Sequence, residues 1–189
     1  MLYHKIIIYE WRINVSTTGI IRRIDELGRI VIPKEIRKSL RIKNGDNLEI
    51  VVDGENISLR KYSQIENLEN IANIYAESFN QVLKYNVIIT DMDKVVAVGG
   101  NLKKKYLNNE ISEELERMME RRDNFSNRKK DNLEIIPSVC EYGYYTFSTI
   151  INNGDSIGSV IILSMDSPML EQEEKLGSIL ANILSNYFV

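Results

Sequence analysis

The chain has 189 residues, 43% of them hydrophobic and 27% charged, with 24 Lys/Arg against 27 Asp/Glu for a net charge of −3. That length fits one large domain or two small ones, and no apolar run approaches the ~18 residues a membrane span needs. The single cysteine, Cys140, excludes an intrachain disulfide and, with one distant histidine, His4, forms no nucleophile–base pair; the expected address is cytoplasmic.

The charge is segregated along the chain. Residues 15–62 carry ten Lys/Arg against seven Asp/Glu, whereas residues 63–189 carry twelve against nineteen. A basic head joined to an acidic body points to a nucleic-acid contact made by one end only. The expected division is an extension at 1–14, a head at 15–62 and a body at 63–189.

Residues 1–14 are too short, and too interrupted by Glu10 and Arg12, to be a signal peptide. They are read as a misassigned start with the natural chain beginning at Val15; the rival reading is an extra strand or interaction arm. Thr17–Ile24 and Arg29–Ile32, rich in β-branched residues, flank the polar turn Asp25-Glu-Leu-Gly28 and predict two strands. Pro33 suits the first position of a helix predicted over Pro33–Leu40. Lys34, Arg37, Lys38 and Arg41 fall at i, i+3, i+4 and i+7, one face, with Ile36 and Leu40 on the other. Asn44-Gly-Asp46 breaks the chain. Leu48–Val52 and Ile57–Lys61 then read as strands joined across Asp53-Gly-Glu-Asn56.

Between Gly19 and Lys43 lie Arg22, Arg23, Arg29, Lys34, Arg37, Lys38, Arg41 and Lys43, opposed only by Asp25, Glu26 and Glu35. A concentrated cationic surface on an acidic protein is what binding to double-stranded DNA through its phosphates requires. A unit of roughly 45 residues without disulfides or metal buries too little to stand alone, so an intertwined homodimer is expected.

The run Thr18-Gly-Ile-Ile-Arg-Arg-Ile-Asp-Glu-Leu-Gly-Arg-Ile-Val-Ile-Pro-Lys-Glu-Ile-Arg37 resembles the AbrB-type swapped-hairpin DNA-binding domain of transition-state regulators in spore-forming bacteria. The resemblance implies a β-rich barrel formed by hairpin exchange, with Arg22, Arg29 and Arg37 on DNA and Arg23 and Lys38 at further basic positions. Lysine at 38 keeps the phosphate attraction without the planar fork of arginine.

In the body, Ser63-Gln-Ile-Glu66 is a capping box opening a helix to roughly Leu83. Ile65, Leu68, Ala72, Tyr75, Phe79 and Val82 are spaced as a helix–helix seam, and Ile71 and Ile74 widen the stripe enough to cover a sheet as well. Strands are predicted at Val87–Thr90 and Val95–Val98 around the turn Asp91-Met-Asp-Lys94. A capped helix over Ser112–Arg122 and a charged polar loop through Asp131 follow. The hairpin Tyr144–Ile151 and Ile157–Ser164 turns at Asn152-Asn-Gly-Asp155, a type I′ signal. Ser167-Pro168 can cap a last helix with Glu171, Glu173 and Glu174 in its first turn, and with Leu176, Ile179, Leu180, Ile183, Leu184 and Tyr187 on its apolar face. For both helical stripes the alternatives are packing within the protomer and oligomerisation through Ile65, Leu68, Ala72, Tyr75, Phe79, Leu176, Ile179 and Ile183. The element order predicts an α+β body, an antiparallel sheet with flanking helices, as in GAF and PAS sensor domains.

A basic head before this body is similar to the stage V sporulation protein T family. Tyr62-Ser-Gln-Ile, Ile88-Ile-Thr-Asp91, Lys105-Tyr-Leu-Asn108 and Asn153-Gly-Asp155 carry that likeness. It implies a sporulation regulator, activator and repressor, assembled as a homotetramer through heads and helical layers. An antitoxin or a transition-state regulator-like binding module without ligand sensing is the alternative. An enzyme is not expected, because the methionine-reducing chemistry of some GAF-like domains needs paired cysteines. Tyr142, Tyr144 and Tyr145, or Tyr106 and Met118, could line an effector pocket or fill the core. No phosphate loop, metal constellation or cyclic-nucleotide signature is visible, so no cofactor is named and a small-molecule effector of the body stays unidentified.

Overall fold

The computed structural model describes residues 20–63 and 69–187. The 1–14 extension, the start of the Thr17–Ile24 segment, Glu66 of the capping box, and Ile65 and Leu68 lie outside the described residues. The chain divides into two compact units, Met1–Asn47 and Leu48–Val189.

In the first unit Asp25 organises the expected turn. Its backbone N–H donates to the Arg29 carbonyl at 3.1 Å, and Gly28 N–H returns to the Asp25 carbonyl at 3.0 Å, with Gly28 at φ +74°. Gly28 supplies the left-handed conformation that such a turn demands. The strands expected on either side do not form a ladder: residues 20–24 and 29–33 belong to no strand. A strand exists only when its N–H and C=O groups meet a partner, and nothing else in this unit supplies one among the described residues. Helix α1 is Lys34–Ser39 with Pro33 at its N-cap and Leu40 at its C-cap. The helix therefore stops before Arg41, which sits beyond it at φ +50°; the fourth member of the expected basic stripe is in the turn, not on the helix. Six residues complete too few turns for an i+7 neighbour.

The second unit opens with the antiparallel pair β1 (Leu48–Asp53) and β2 (Asn56–Lys61), Asp53 facing Asn56 across a two-residue loop with Gly54 at φ +58°. Helix α2 (Glu69–Leu83) follows, then β3 (Asn86–Thr90) and β4 (Val95–Gly99). After them come α3 (Lys103–Tyr106), α4 (Glu113–Glu120), β5 (Asn124–Ser126), β6 (Asp131–Ile136), β7 (Val139–Asn152), β8 (Asp155–Ser164) and α5 (Glu171–Asn186). The sheet runs β4-β3-β8-β7-β5, with β6 also on β7, and every pairing is antiparallel.

Helices cover both faces. Ala72 and Ala76 of α2 and Leu180, Ala181 and Leu184 of α5 pack with Val87, Ile89, Ile150, Val160 and Ile162. Tyr106, Leu115, Met118 and Met119 pack on the other face with Ile88, Phe147, Ile161 and Leu163. Because neighbours alternate between two dry faces, Val160–Leu163 reads as an unbroken apolar run, each residue 0% exposed. Each such side chain contributes about 1.5–3 kcal/mol of transfer free energy.

Several expectations shift in detail. The β7–β8 turn carries Asn153 at φ +49° and Gly154 at φ +89°, the two positive angles of a type I′ turn. Ser112 caps α4, accepting from Leu115 N–H at 3.2 Å. The last helix is not capped by Ser167: it begins at Glu171, and the Glu173 carboxylate accepts the Leu170 N–H at 2.9 Å. The charged loop before Asp131 contains β5, and β6, α3 and the first residues of β7 join the fold without having been expected. Short edge strands with polar alternation carry little periodic signal.

Candidate nucleic-acid interface

All eight basic residues singled out between Gly19 and Lys43 lie in the first unit. Arg29 is the most constrained. Asp25 Oδ2 accepts from Arg29 Nε at 2.7 Å, and Asp25 Oδ1 accepts the backbone N–H groups of Leu27 at 3.0 Å and Arg29 at 2.8 Å. The Arg29 backbone N–H, then its guanidinium, hold the exposed Asp25 carboxyl below its ordinary range. Among the described residues only Nε is engaged, so the turn orients the guanidinium while Nη1 and Nη2 keep their donors for a planar acceptor such as a phosphate. Asp25 was not among the expected site residues. An aspartate opening a tight turn and bonding amides ahead of it was its signal.

Arg37 is half-buried. Its Nη1 donates to Asn44 Oδ1 at 3.4 Å, and its Nε is buried without a partner. Asn44, read in the sequence only as a chain breaker, thus touches a candidate DNA contact. Lys34 and Lys38 are exposed on α1 together with Arg37, spaced three and four residues apart on one face. Arg22 and Arg23 are exposed before the turn, with Arg22 Nη1 3.5 Å from the Ile21 carbonyl. The same unit leaves large apolar groups in solvent: Ile21 is 89% exposed, Leu27 75%, and Val31 74%.

The residues expected to join subunits divide by burial. Ala72 is sealed in the protomer core, and Tyr75, Phe79 and Leu176 are half-buried against it. Ile183 is half-buried, while Ile179, like Ile74 and Val82, is exposed. Tyr75 and Tyr187 bring α2 and α5 together, their hydroxyls 3.1 Å apart.

Of the aromatic residues considered for a pocket, Tyr106, Tyr145 and Met118 fill the core, Tyr144 is half-buried and Tyr142 is exposed. The Tyr106 hydroxyl donates to Glu141, which also accepts Lys105 Nζ at 2.6 Å. Burial first, and the Glu141 carboxylate second, push the Tyr106 hydroxyl far above its ordinary range. Among the described residues no cluster of His, Cys, Asp and Glu could hold a metal ion. None of their helices is long and apolar enough to cross a membrane.

Both parts resemble known proteins. The family described as stage V sporulation protein T C-terminal, transcription factor, matches residues 67–188, and the family described as antidote-toxin recognition MazE, bacterial antitoxin, matches residues 21–67. Stage V sporulation protein T of Bacillus subtilis (strain 168) is 44% identical over 173 residues, 90% of this chain and 97% of its own length. Transition state regulatory protein AbrB of the same organism is 56% identical over 48 residues, 25% of this chain and 50% of its own. Two GAF-domain structures share the fold of the body. The cofactor-binding GAF domain of the nutrient sensor CodY from Clostridium difficile is 16% identical, with a TM-score of 0.51, covering 82% of this chain and 94% of that one. The GAF domain of Acinetobacter phosphoenolpyruvate-protein phosphotransferase is 14% identical, with a TM-score of 0.50, covering 65% and 85%. Matched over more than half its length and across nearly all of a relative, the chain belongs to the stage V sporulation protein T family, a family of transcription factors and not of enzymes.

Proposed function

We propose that this transcription factor regulates sporulation genes, as activator and repressor, by docking the basic face of its first unit on duplex DNA. Arg22, Arg23, Arg29, Lys34, Arg37, Lys38 and Arg41 are the contacts. The observation that carries this reading is the Asp25-anchored turn. It fixes Arg29 by Nε and leaves the two outer nitrogens for a phosphate. Alanine at Arg29 abolishes specific binding in a gel shift while the far-ultraviolet circular dichroism stays unchanged; undiminished affinity of that variant refutes the assignment.

The head works as a dimer that exchanges hairpins with a second copy. Supporting this are β-branched segments with no ladder in their own unit and the exposure of Ile21, Leu27 and Val31. Unpaired strand edges of this kind are templates for another chain. Two such dimers join as a tetramer through the outer faces of α2 and α5, where Ile74, Val82 and Ile179 stand in solvent. A glutamate at Ile179 halves the mass measured by light scattering. An unchanged mass removes α5 from the interface. The GAF-like body assembles the heads and takes a small-molecule effector, and the protein acts in the cytoplasm at the nucleoid. A plain binding module, as the antitoxin match at 21–67 would allow, accounts for the head but gives no role to the two-faced body.

A further inference from the structure

A second cationic feature sits in the acidic body. Strand β5 pairs Ser126 with Thr146, and β6 begins with Asp131 opposite Gly143. Four residues, 127–130, therefore face only Tyr144 and Tyr145 on β7, and the surplus bulges from the sheet edge. Asn127 pins the root of the bulge: its N–H donates to the Tyr145 carbonyl at 3.0 Å, and its Oδ1 accepts the Tyr145 N–H at 2.5 Å. Its Nδ2 also donates to the Gly143 carbonyl at 3.2 Å. The remaining three residues are Arg128, Lys129 and Lys130, all exposed.

These three cations have no carboxylate partner among the described residues. The acids closest in the chain and on the neighbouring helix are occupied by neutral donors. Asp131 Oδ1 accepts the Asn132 N–H at 2.8 Å, and Glu174 accepts the Ser126 hydroxyl at 2.6 Å. Lys130 Nζ lies 5.8 Å from the centre of the Tyr144 ring, a cation–π contact that holds the ammonium at the surface without neutralising it. The other lysine run of the body differs. In Lys103–Lys105, Lys103 faces Glu77 at 3.5 Å and Lys105 faces Glu141 at 2.6 Å.

We infer that the Arg128–Lys130 bulge is a second contact for the phosphate backbone of duplex DNA, made by the body and separate from the head. Three exposed cations side by side on one anchored bulge repel one another and concentrate positive potential at one spot of an otherwise acidic body, the kind of patch an anionic backbone outside the chain would meet. The two lysines suit flexible monodentate phosphate contacts, and the Arg128 guanidinium can hold a phosphate in a bidentate pair. The inference rests on the head's DNA binding, and its test separates the two.

The experiment measures the dissociation constant of the full-length protein for one promoter duplex across a sodium chloride series, for wild type, R128A/K129A/K130A, K104A and R29A. Each phosphate contact contributes about 0.9 to the slope of log affinity against log salt, so the triple variant is expected to lower it by about 2–3 per protomer. K104A, which removes one exposed lysine of the same unit, should leave the slope unchanged. Hydroxyl-radical footprinting should show the triple variant losing some backbone protections while the central footprint survives. An unchanged slope and footprint in the triple variant overturn the inference and leave the head intact. So does a triple variant that only self-associates, in which case the bulge merely guards a sheet edge. A gain of wild type over the triple variant on anionic phosphatidylglycerol vesicles alone, with no DNA effect, overturns it too, in favour of a membrane surface. A wild-type protein blind to DNA refutes the head as well.

Discussion

Of the glycines described, Gly99 makes the closest approach to a neighbour, where α2 meets β4, and it yields a sharp test. An alanine Cβ built at Gly99 falls 2.0 Å from the Ala76 carbonyl oxygen, 2.3 Å from its carbon and 2.9 Å from Glu77 N. Comfortable carbon contacts need about 3.5 Å, so the helix must withdraw from the sheet by more than ~1 Å. The obstructing atoms are helix backbone and no rotamer change can relieve them. Ala72 and Ala76, both 0% exposed, would lose their packing together. Overpacking typically costs 1–3 kcal/mol, and a backbone clash belongs at the top of that range, about 3 kcal/mol. For a body of this size that is roughly 6–12 °C of melting temperature, at about 2–4 °C per kcal/mol. Two glycines calibrate the result. Gly154→Ala meets nothing within 4 Å, so its cost is only that of a left-handed φ of +89°, about 1 kcal/mol. Gly177→Ala would place its Cβ 3.0 Å from Thr146 Oγ1 and 3.2 Å from Ser148 Oγ, side chains that can yield. It also gains about 1 kcal/mol of helix propensity, so it should stay near neutral. Urea and thermal unfolding followed by circular dichroism would rank the three. Gly99→Ala melting with the wild type would refute the close approach of α2 to the sheet.

Further outcomes follow from individual contacts. Asp91 is buried, accepts the Asp93 and Lys94 N–H groups at 2.7 Å each and takes the Ser63 hydroxyl at 2.7 Å; Asp91→Ala should cost about 1–3 kcal/mol in urea unfolding by orphaning those amides. Tyr106→Phe deletes the buried donor to Glu141 and should destabilise by about 1–2 kcal/mol, leaving Lys105 as the carboxylate's charged partner. Asp25 has its folded pKa below the unfolded value of about 3.9, so the order it gives the turn is complete above that pH. It is lost as pH falls through the lower folded value. The Arg29 amide resonance, followed in an acid titration, should move with a midpoint below 3.9, and Asp25→Asn should erase the transition.

The sequence alone carried the local chemistry. Asn153-Gly154 dictated its turn because only residues tolerant of positive φ fit both central positions. Ser112 announced α4 because its hydroxyl can replace a missing helical acceptor. The basic run from Arg22 to Lys43 was equally plain, since charge segregation needs no coordinates. Tertiary structure decided what depends on neighbours distant in sequence. It decided that Ala72 of the seam is spent on the protomer's own core while Ile179 of α5 faces solvent. It decided that segments 20–24 and 29–33, rich in β-branched residues, form no ladder in their own unit, because strand formation is a property of pairs. Burial and pairing are relations between distant residues, and periodicity along one segment records only which face is apolar, not what covers it.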